Sequence, residues 1–279
     1  MNDSPRQLSV KLDTSPLRSG HMVRGIGVYT RQLAHFLEKT GEVTLLPMGH
    51  KNTNADVIHY PFFDVFFPTL PFAPWNKVVV TIHDVIPLLF PEHYPVGKRG
   101  TIAFKRQKIA LKFVSMVITD SHASARDIAE HLGVDSSRIA VIPLAAQPNI
   151  ERPDQRVLNS ARRKFTLPKQ YCLYVGDINY NKNIPQLIKM LKFLPDSISL
   201  VCVGKNFVEQ DIPEWKAIET QIALSNVAVR VHLIPSIASD NNQLLAALYA
   251  QALCYVQPSL SEGFGLPVLE AMQCRTPVV

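Results

Sequence analysis

Short apolar runs alternate with longer stretches of helical period along the whole chain. In the first half the runs read as strands at 7–13, 43–48, 55–60, 77–82, 115–119 and 139–144, with helices over 25–39, 98–114 and 122–132. Most strands are apolar at consecutive rather than alternate positions, which suits parallel sheets covered on both faces. Residues 151–170, ERPDQRVLNSARRKFTLPKQ, break this rhythm: they are polar and basic, contain two prolines, and read as a connector with a short helix. The pattern then restarts, with strands at 171–176, 198–203, 229–234 and 253–257 and helices at 183–194, 213–225, 240–251 and 267–273. The expected class is α/β: a domain over 1–150, a linker over 151–170 and a second domain over 171–279, each a doubly wound parallel sheet. Two such domains facing a cleft would place a ligand at the carboxyl ends of strands, so chemistry is sought there.

Composition narrows the classes. With 47% apolar and 19% charged residues over 279 positions, the chain forms a core. Its longest apolar runs, such as KVVVTI and VIPLLF, are too short for a membrane span, and MNDSPRQ lacks the pattern of a signal peptide. A cytoplasmic protein is expected. The four cysteines stand singly, without CxxC spacing, and the nine histidines include no HExxH, so free thiols and no metal are expected. A formal charge of +6 suits an anionic ligand or surface without choosing among phosphate, lipid and nucleic acid.

The clearest constellation is PSLSEGFGLPVLEAMQCRTPVV, residues 258–279. A strand ends near Gln257, a loop follows, and a helix begins around Pro267, a residue suited to a first helical turn. Gly263 and Gly265 admit close backbone approach, and the helix start attracts an anion such as phosphate. Glu270 is expected in the first helical turn, with Glu262 ahead of it. A glutamate near a helix start is a common dipole partner, which accounts for Glu270 but not for Glu262 among glycines. TPVV reads as the beginning of another strand.

This segment resembles the Glu-x7-Glu signature of the retaining, group 1 glycosyltransferases of the GT-B fold, mannosyltransferase-like members in particular. The resemblance implies two Rossmann-like domains facing a cleft, the second incomplete here because the family continues beyond PVV. It implies that Glu270 holds the nucleotide ribose and that Glu262 lies near the donor sugar. The amides of Phe264, Gly265 and Leu266 correspond to those contacting sugar hydroxyls and phosphate. YVGDINYNKN, residues 174–183, resembles the family segment whose lysine binds the donor diphosphate; that lysine is Lys182, and Asn181 stands where an arginine is usual. TIHDVIP with PLLFPEHYP resembles the family's HD loop, implying that His83 faces the donor hexose, while Asp84 orients the loop. RGIGVYTRQL resembles GIGRYT: Gly25 and Gly27 open a helix where they could cradle phosphate or admit the acceptor. Val28 replaces the common arginine there, and Arg18 and Arg24 are nearby basic candidates.

Two further features bear on the acceptor. Residues 60–75, YPFFDVFFPTLPFAPW, read as an aromatic loop packed on the core, with an acceptor groove or lipid contact as the other reading. Lys105, Lys108 and Lys112 share one face of the helix 98–114, a solvated stripe or a site for anionic lipid at the inner membrane face.

The expected reaction is transfer of a hexosyl group, mannosyl favoured, from a nucleoside diphosphate sugar to a hydroxyl of a glycan or lipid-linked acceptor. GDP-mannose is the favoured donor, no cofactor or metal is expected, and nucleic acid is not an expected partner. Lys182, Gly27 and the helix start at Leu266 would stabilise the leaving diphosphate by fixed electrostatics. The resemblance implies retention, with the departing phosphate taking the acceptor proton and Glu262 a positioning group rather than a nucleophile. A GT-B epimerase and an inactive sugar-nucleotide-binding member are the alternatives.

Overall fold

The computed structural model describes residues 6–18, 25–48, 55–72, 77–148, 150–235, 237 and 241–279. The chain divides into two compact units, Met1–Pro143 and Leu144–Val279. In the first, six parallel strands lie in the order β2-β1-β3-β4-β5-β6. They are β1 (Leu8–Leu12), β2 (Val43–Leu46), β3 (Val57–Tyr60), β4 (Val78–Thr81), β5 (Met116–Thr119) and β6 (Ile139–Val141). Its helices are α1 (Gly25–Lys39), the short α2 (Ile86–Leu89), α3 (Lys98–Leu111) and α4 (His122–Leu132). Val80 and Val117 are fully buried, as suits parallel strands covered on both faces. Local chemistry sets the helix ends. Ser121 caps α4 by accepting from the Ser124 amide, and Gly133 closes it in the left-handed conformation.

The second unit orders its strands β10-β7-β8-β9, again all parallel. These are β7 (Gln170–Val175), β8 (Ile198–Val203), β9 (Val231–Ile234) and β10 (Cys254–Tyr255). Among the described residues the α-helices that accompany them are α5 (Gln155–Lys164), α6 (Ile184–Met190), α7 (Pro213–Ser225), α8 (Asn242–Gln251) and α9 (Leu266–Gln273). The TPVV segment does behave as a strand: Val278 bridges to Tyr255 in parallel, and the Val279 amide donates to the Tyr255 carbonyl at 2.9 Å.

The expected linker is corrected by the packing. Residues 151–170 carry α5, which Asp154 caps through the Arg156 and Val157 amides. Leu158, Ala161 and Leu167 are buried with Tyr171, Val201 and Leu248 in one core. The polar positions form one face of an amphipathic helix, so the division between units falls near Pro143 instead. The short α2 was not expected; it follows Asp84, whose Oδ1 accepts from the Ile86 amide at 3.0 Å. The helix expected over 98–114 ends at Leu111, and β10 is two residues long.

The strand ends of the second unit are drawn close together. The Gly176 amide donates to Val203 at 2.9 Å, and the Gly204 amide to Ile234 at 3.1 Å. A Cβ on Gly204 would lie 1.9 Å from the Gly176 carbonyl oxygen, a backbone atom with no freedom to give way. Gly204→Ala is therefore expected to cost about 3 kcal/mol, the upper part of the overpacking range, and to lower Tm by several degrees. An unchanged melting curve would show that these strand ends are not held together as described.

Candidate sugar-nucleotide site

In the second unit, the loop after β7 and the loop before α9 meet at the carboxyl edge of the sheet. After Gly176 the chain forms a single 3-10 turn over Tyr180–Lys182. Asn183 then takes the left-handed conformation at φ 55°, which redirects the chain into α6. Two asparagines tie this loop to the other. Asn181 Nδ2 donates to the Ser261 carbonyl at 2.9 Å, and the Asn181 carbonyl accepts from the Leu260 amide at 2.7 Å. Asn183 Nδ2 donates to the Pro258 carbonyl at 3.2 Å. Asn181 is only 2% exposed, so the residue in place of the usual arginine is a buried strut between loops.

That strut brings Lys182 and Glu262 into contact. Lys182 Nζ donates to both carboxylate oxygens of Glu262, at 2.6 and 2.8 Å. Glu262 Oε1 also accepts from Gln257 Nε2 at 2.5 Å and Ser259 Oγ at 2.6 Å. The two side chains are about one fifth exposed, which makes their attraction stronger than a fully solvated pair but open to exchange.

Gly265 precedes α9 at φ 96°, a backbone conformation that favours glycine. Among the described residues, the amides of Phe264, Gly265 and Leu266 have no hydrogen-bond acceptor. Three free donors at a helix start can receive anionic or hydroxyl oxygens. The helix begins at Leu266, so Glu270 is its fifth residue and no acid lies in the first turn. The first-turn expectation, and with it the dipole explanation of Glu270, is thereby corrected. Glu270 is instead 6% exposed, its Oε2 accepting from the Tyr249 hydroxyl at 2.9 Å and its Oε1 from Gln147 Nε2 at 3.4 Å. Burial raises its pKa, opposed by those two hydrogen bonds. Tyr249, Gln147, Gln257 and Ser259 carry no local sequence signal; they are recognisable only as partners of the two glutamates.

In the first unit, His83 lies just beyond β4. Its Nδ1 is 2.6 Å from Asp120 Oδ2, and its ring meets Tyr29 edge-on at 4.7 Å and 88°. Tyr29 comes from α1, the helix that Gly25 and Gly27 open as first and third residues; Gly27 is buried. Nothing lies within 4 Å of a Cβ built on Gly25. Arg18 is exposed at the end of a 3-10 turn, and Arg24 lies outside the described residues. Asp120 escaped the sequence reading. Its signal is positional: Thr81 pairs with Ile118 across β4 and β5, and His83 and Asp120 each follow by two residues. Among the described residues, no group of three or more His, Cys, Asp or Glu is placed to hold a metal ion.

The chain is similar to known proteins. Residues 158–279 match the family model described as glycosyl transferases group 1, and residues 45–148 that of glycosyltransferase family 4. The chain belongs to the group 1 glycosyltransferases. It is 29% identical over 212 residues to the O-antigen chain mannosyltransferase B of Escherichia coli, covering 73% of this chain and 52% of that protein. It is 32% identical over 210 residues to the serotype-specific mannosyltransferase WbdA of Escherichia coli, covering 72% of this chain and 25% of that protein. The chain thus spans from a quarter to about half the length of these two curated relatives. Among solved structures, Anabaena Alr3699/HepE in complex with UDP and glucose superposes with a TM-score of 0.64 at 18% identity, over 98% of this chain and 80% of that one. WaaG, a glycosyltransferase involved in lipopolysaccharide biosynthesis, gives 0.65 at 17% identity, over 91% and 76%. Each unit of this group 1 glycosyltransferase is Rossmann-like, and the fold is GT-B.

Glu270 yields a pH prediction. Because its folded pKa is raised, the linked stability is complete below the ordinary glutamate pKa and is lost as pH rises through the raised value. Glu270→Gln is therefore expected to match the parent's Tm near pH 4 and to exceed it at about pH 7. A variant less stable than the parent at neutral pH would contradict the buried-carboxylate account.

Proposed function

We propose that the chain transfers a hexosyl group, mannosyl favoured, from a nucleoside diphosphate sugar to a hydroxyl of a glycan or lipid-linked acceptor. In this reading the reaction retains anomeric configuration, needs no metal ion and takes place in the cytoplasm. The observation that carries it is the second unit's site: Lys182 on Glu262, with three free amides and buried Glu270 on the next eight residues. The likeness to mannosyltransferases supports the choice of sugar, and the UDP and glucose bound by a fold neighbour support a sugar-nucleotide donor.

The chemistry follows from charge. As the glycosidic bond breaks, the diphosphate gains negative charge, and Lys182 with the helix-start amides would receive it without reorganising. Glu270 would accept from the ribose hydroxyls, and Glu262, released from Lys182, would orient the sugar. His83 would contact the hexose, and the departing phosphate would take the acceptor proton. GDP-mannose is the favoured donor on this account.

A lipid-linked acceptor fits the surface of α3. Ile102, Ile109 and Phe113 are exposed there at 60%, 50% and 41%, among Lys98, Arg99, Lys105, Arg106 and Lys112 and without an acidic neighbour over 98–113. The three-lysine stripe itself is corrected: Lys108 Nζ donates to the His131 carbonyl at 3.2 Å and stands 5.6 Å from the centre of the Phe104 ring. The mixed apolar and basic face that remains suits an anionic lipid surface.

A thermal-shift screen with GDP-mannose, UDP-glucose and UDP-N-acetylglucosamine tests the donor. One of them at 100 times its Kd is expected to stabilise the chain by about 2.7 kcal/mol, and Lys182→Ala to remove most of that shift. Equal shifts in parent and Lys182→Ala, or no shift with any donor, would contradict the assignment.

A further inference from the structure

The His83 contact with Asp120 is a closely held polar pair outside the second unit's site. Asp120 is 2% exposed and closes β5, and its Oδ2 lies 2.6 Å from His83 Nδ1. Two acceptors repel at that separation, so a proton lies between them. The ring is held from other directions too. Tyr29 stands edge-on to it, with its hydroxyl 3.1 Å from Thr81 Oγ1, which is itself 2.9 Å from His59 Nε2. Burial lowers the His59 pKa to about 4, so that histidine is neutral and adds no charge beside the ring. The Ser124 hydroxyl fixes the backbone by donating to the His83 carbonyl at 2.9 Å.

What this framework leaves open is as informative as what it holds. Among the described residues, His83 Nε2 is buried without a hydrogen-bond partner, and so is Asp120 Oδ1. A polar pair present only to stabilise a core would leave neither nitrogen nor oxygen unmatched, because each desolvated group weakens the fold. With Nδ1 occupied, Nε2 is the one ring nitrogen left to meet a ligand.

We propose that Asp120 is the positioning residue for His83: its carboxylate accepts a hydrogen bond from Nδ1–H, fixes tautomer and ring orientation, and leaves Nε2 to the hexosyl group. The inference rests on the reading of His83 as a hexose contact. Aspartate is suited to this at the end of β5, where the parallel register with β4 sets the two side chains opposite each other.

Two measurements test it. Nuclear magnetic resonance on histidine-labelled chain is expected to show a strongly deshielded proton on His83 Nδ1, lost in Asp120→Asn; a parent spectrum without that proton overturns the proposal whether or not the variant folds. Titration with GDP-mannose and with GDP supplies the functional readout. Asp120→Asn and His83→Gln are each expected to weaken GDP-mannose about tenfold, the worth of one well-placed hydrogen bond, and to leave GDP unchanged. Loss in His83→Gln but not in Asp120→Asn overturns the positioning role alone. Parent-like binding of GDP-mannose by both variants overturns the reading of His83, and the proposal with it.

Discussion

The ammonium of Lys182 and the carboxylate of Glu262 join the two loops of the candidate site. Eighty residues separate them in sequence, and only the parallel order of β10 beside β7 brings their loops to one edge. The close approach of Gly204 to Gly176 keeps the neighbouring strand end near, and Asn181 and Asn183 lock one loop to the other. The pair is thus the charged centre of a backbone frame that is otherwise neutral. Its partial exposure matters, because a fully buried pair would resist exchange and a fully exposed one would be screened away.

The two units treat their acids differently. In the second, Glu262 is surrounded by donors and Glu270 is nearly dry, with a tyrosine hydroxyl and an amide as its partners. One carboxylate is partly exposed and paired with a cation; the other is held where its ionised form is costly. In the first unit, Asp120 pairs, among the described residues, with a histidine. The proposed transfer, with its charged leaving group and neutral sugar, has use for both arrangements.

Much of this was legible in the sequence because it is local. Apolar runs placed the strands of both sheets, and the spacing of Glu262, the glycines and Glu270 marked the loop before α9. The misses are long-range. Residues 151–170 are polar enough to read as a linker, yet the buried stripe of Leu158 and Ala161 shows itself only against Leu248 and Tyr171. Asn181 looked like a lost charge, since its bonds to the loop before α9 cross the fold. A helix start at Pro267 puts Glu270 fourth, in the first turn, whereas the positive φ of Gly265 lets α9 begin at Leu266 and makes Glu270 its fifth residue. Asp120 became visible only through the register of β4 and β5.

If the Lys182–Glu262 pair is a placeholder for the donor's diphosphate, removing the competing carboxylate must help a ligand that offers diphosphate without sugar. The direct measurement is calorimetric titration of GDP into the parent and into Glu262→Gln. The account predicts tighter binding in the variant, by roughly 3- to 10-fold, equivalent to about 1 kcal/mol of competition from a partly exposed ion pair. Equal or weaker GDP binding in Glu262→Gln would contradict it.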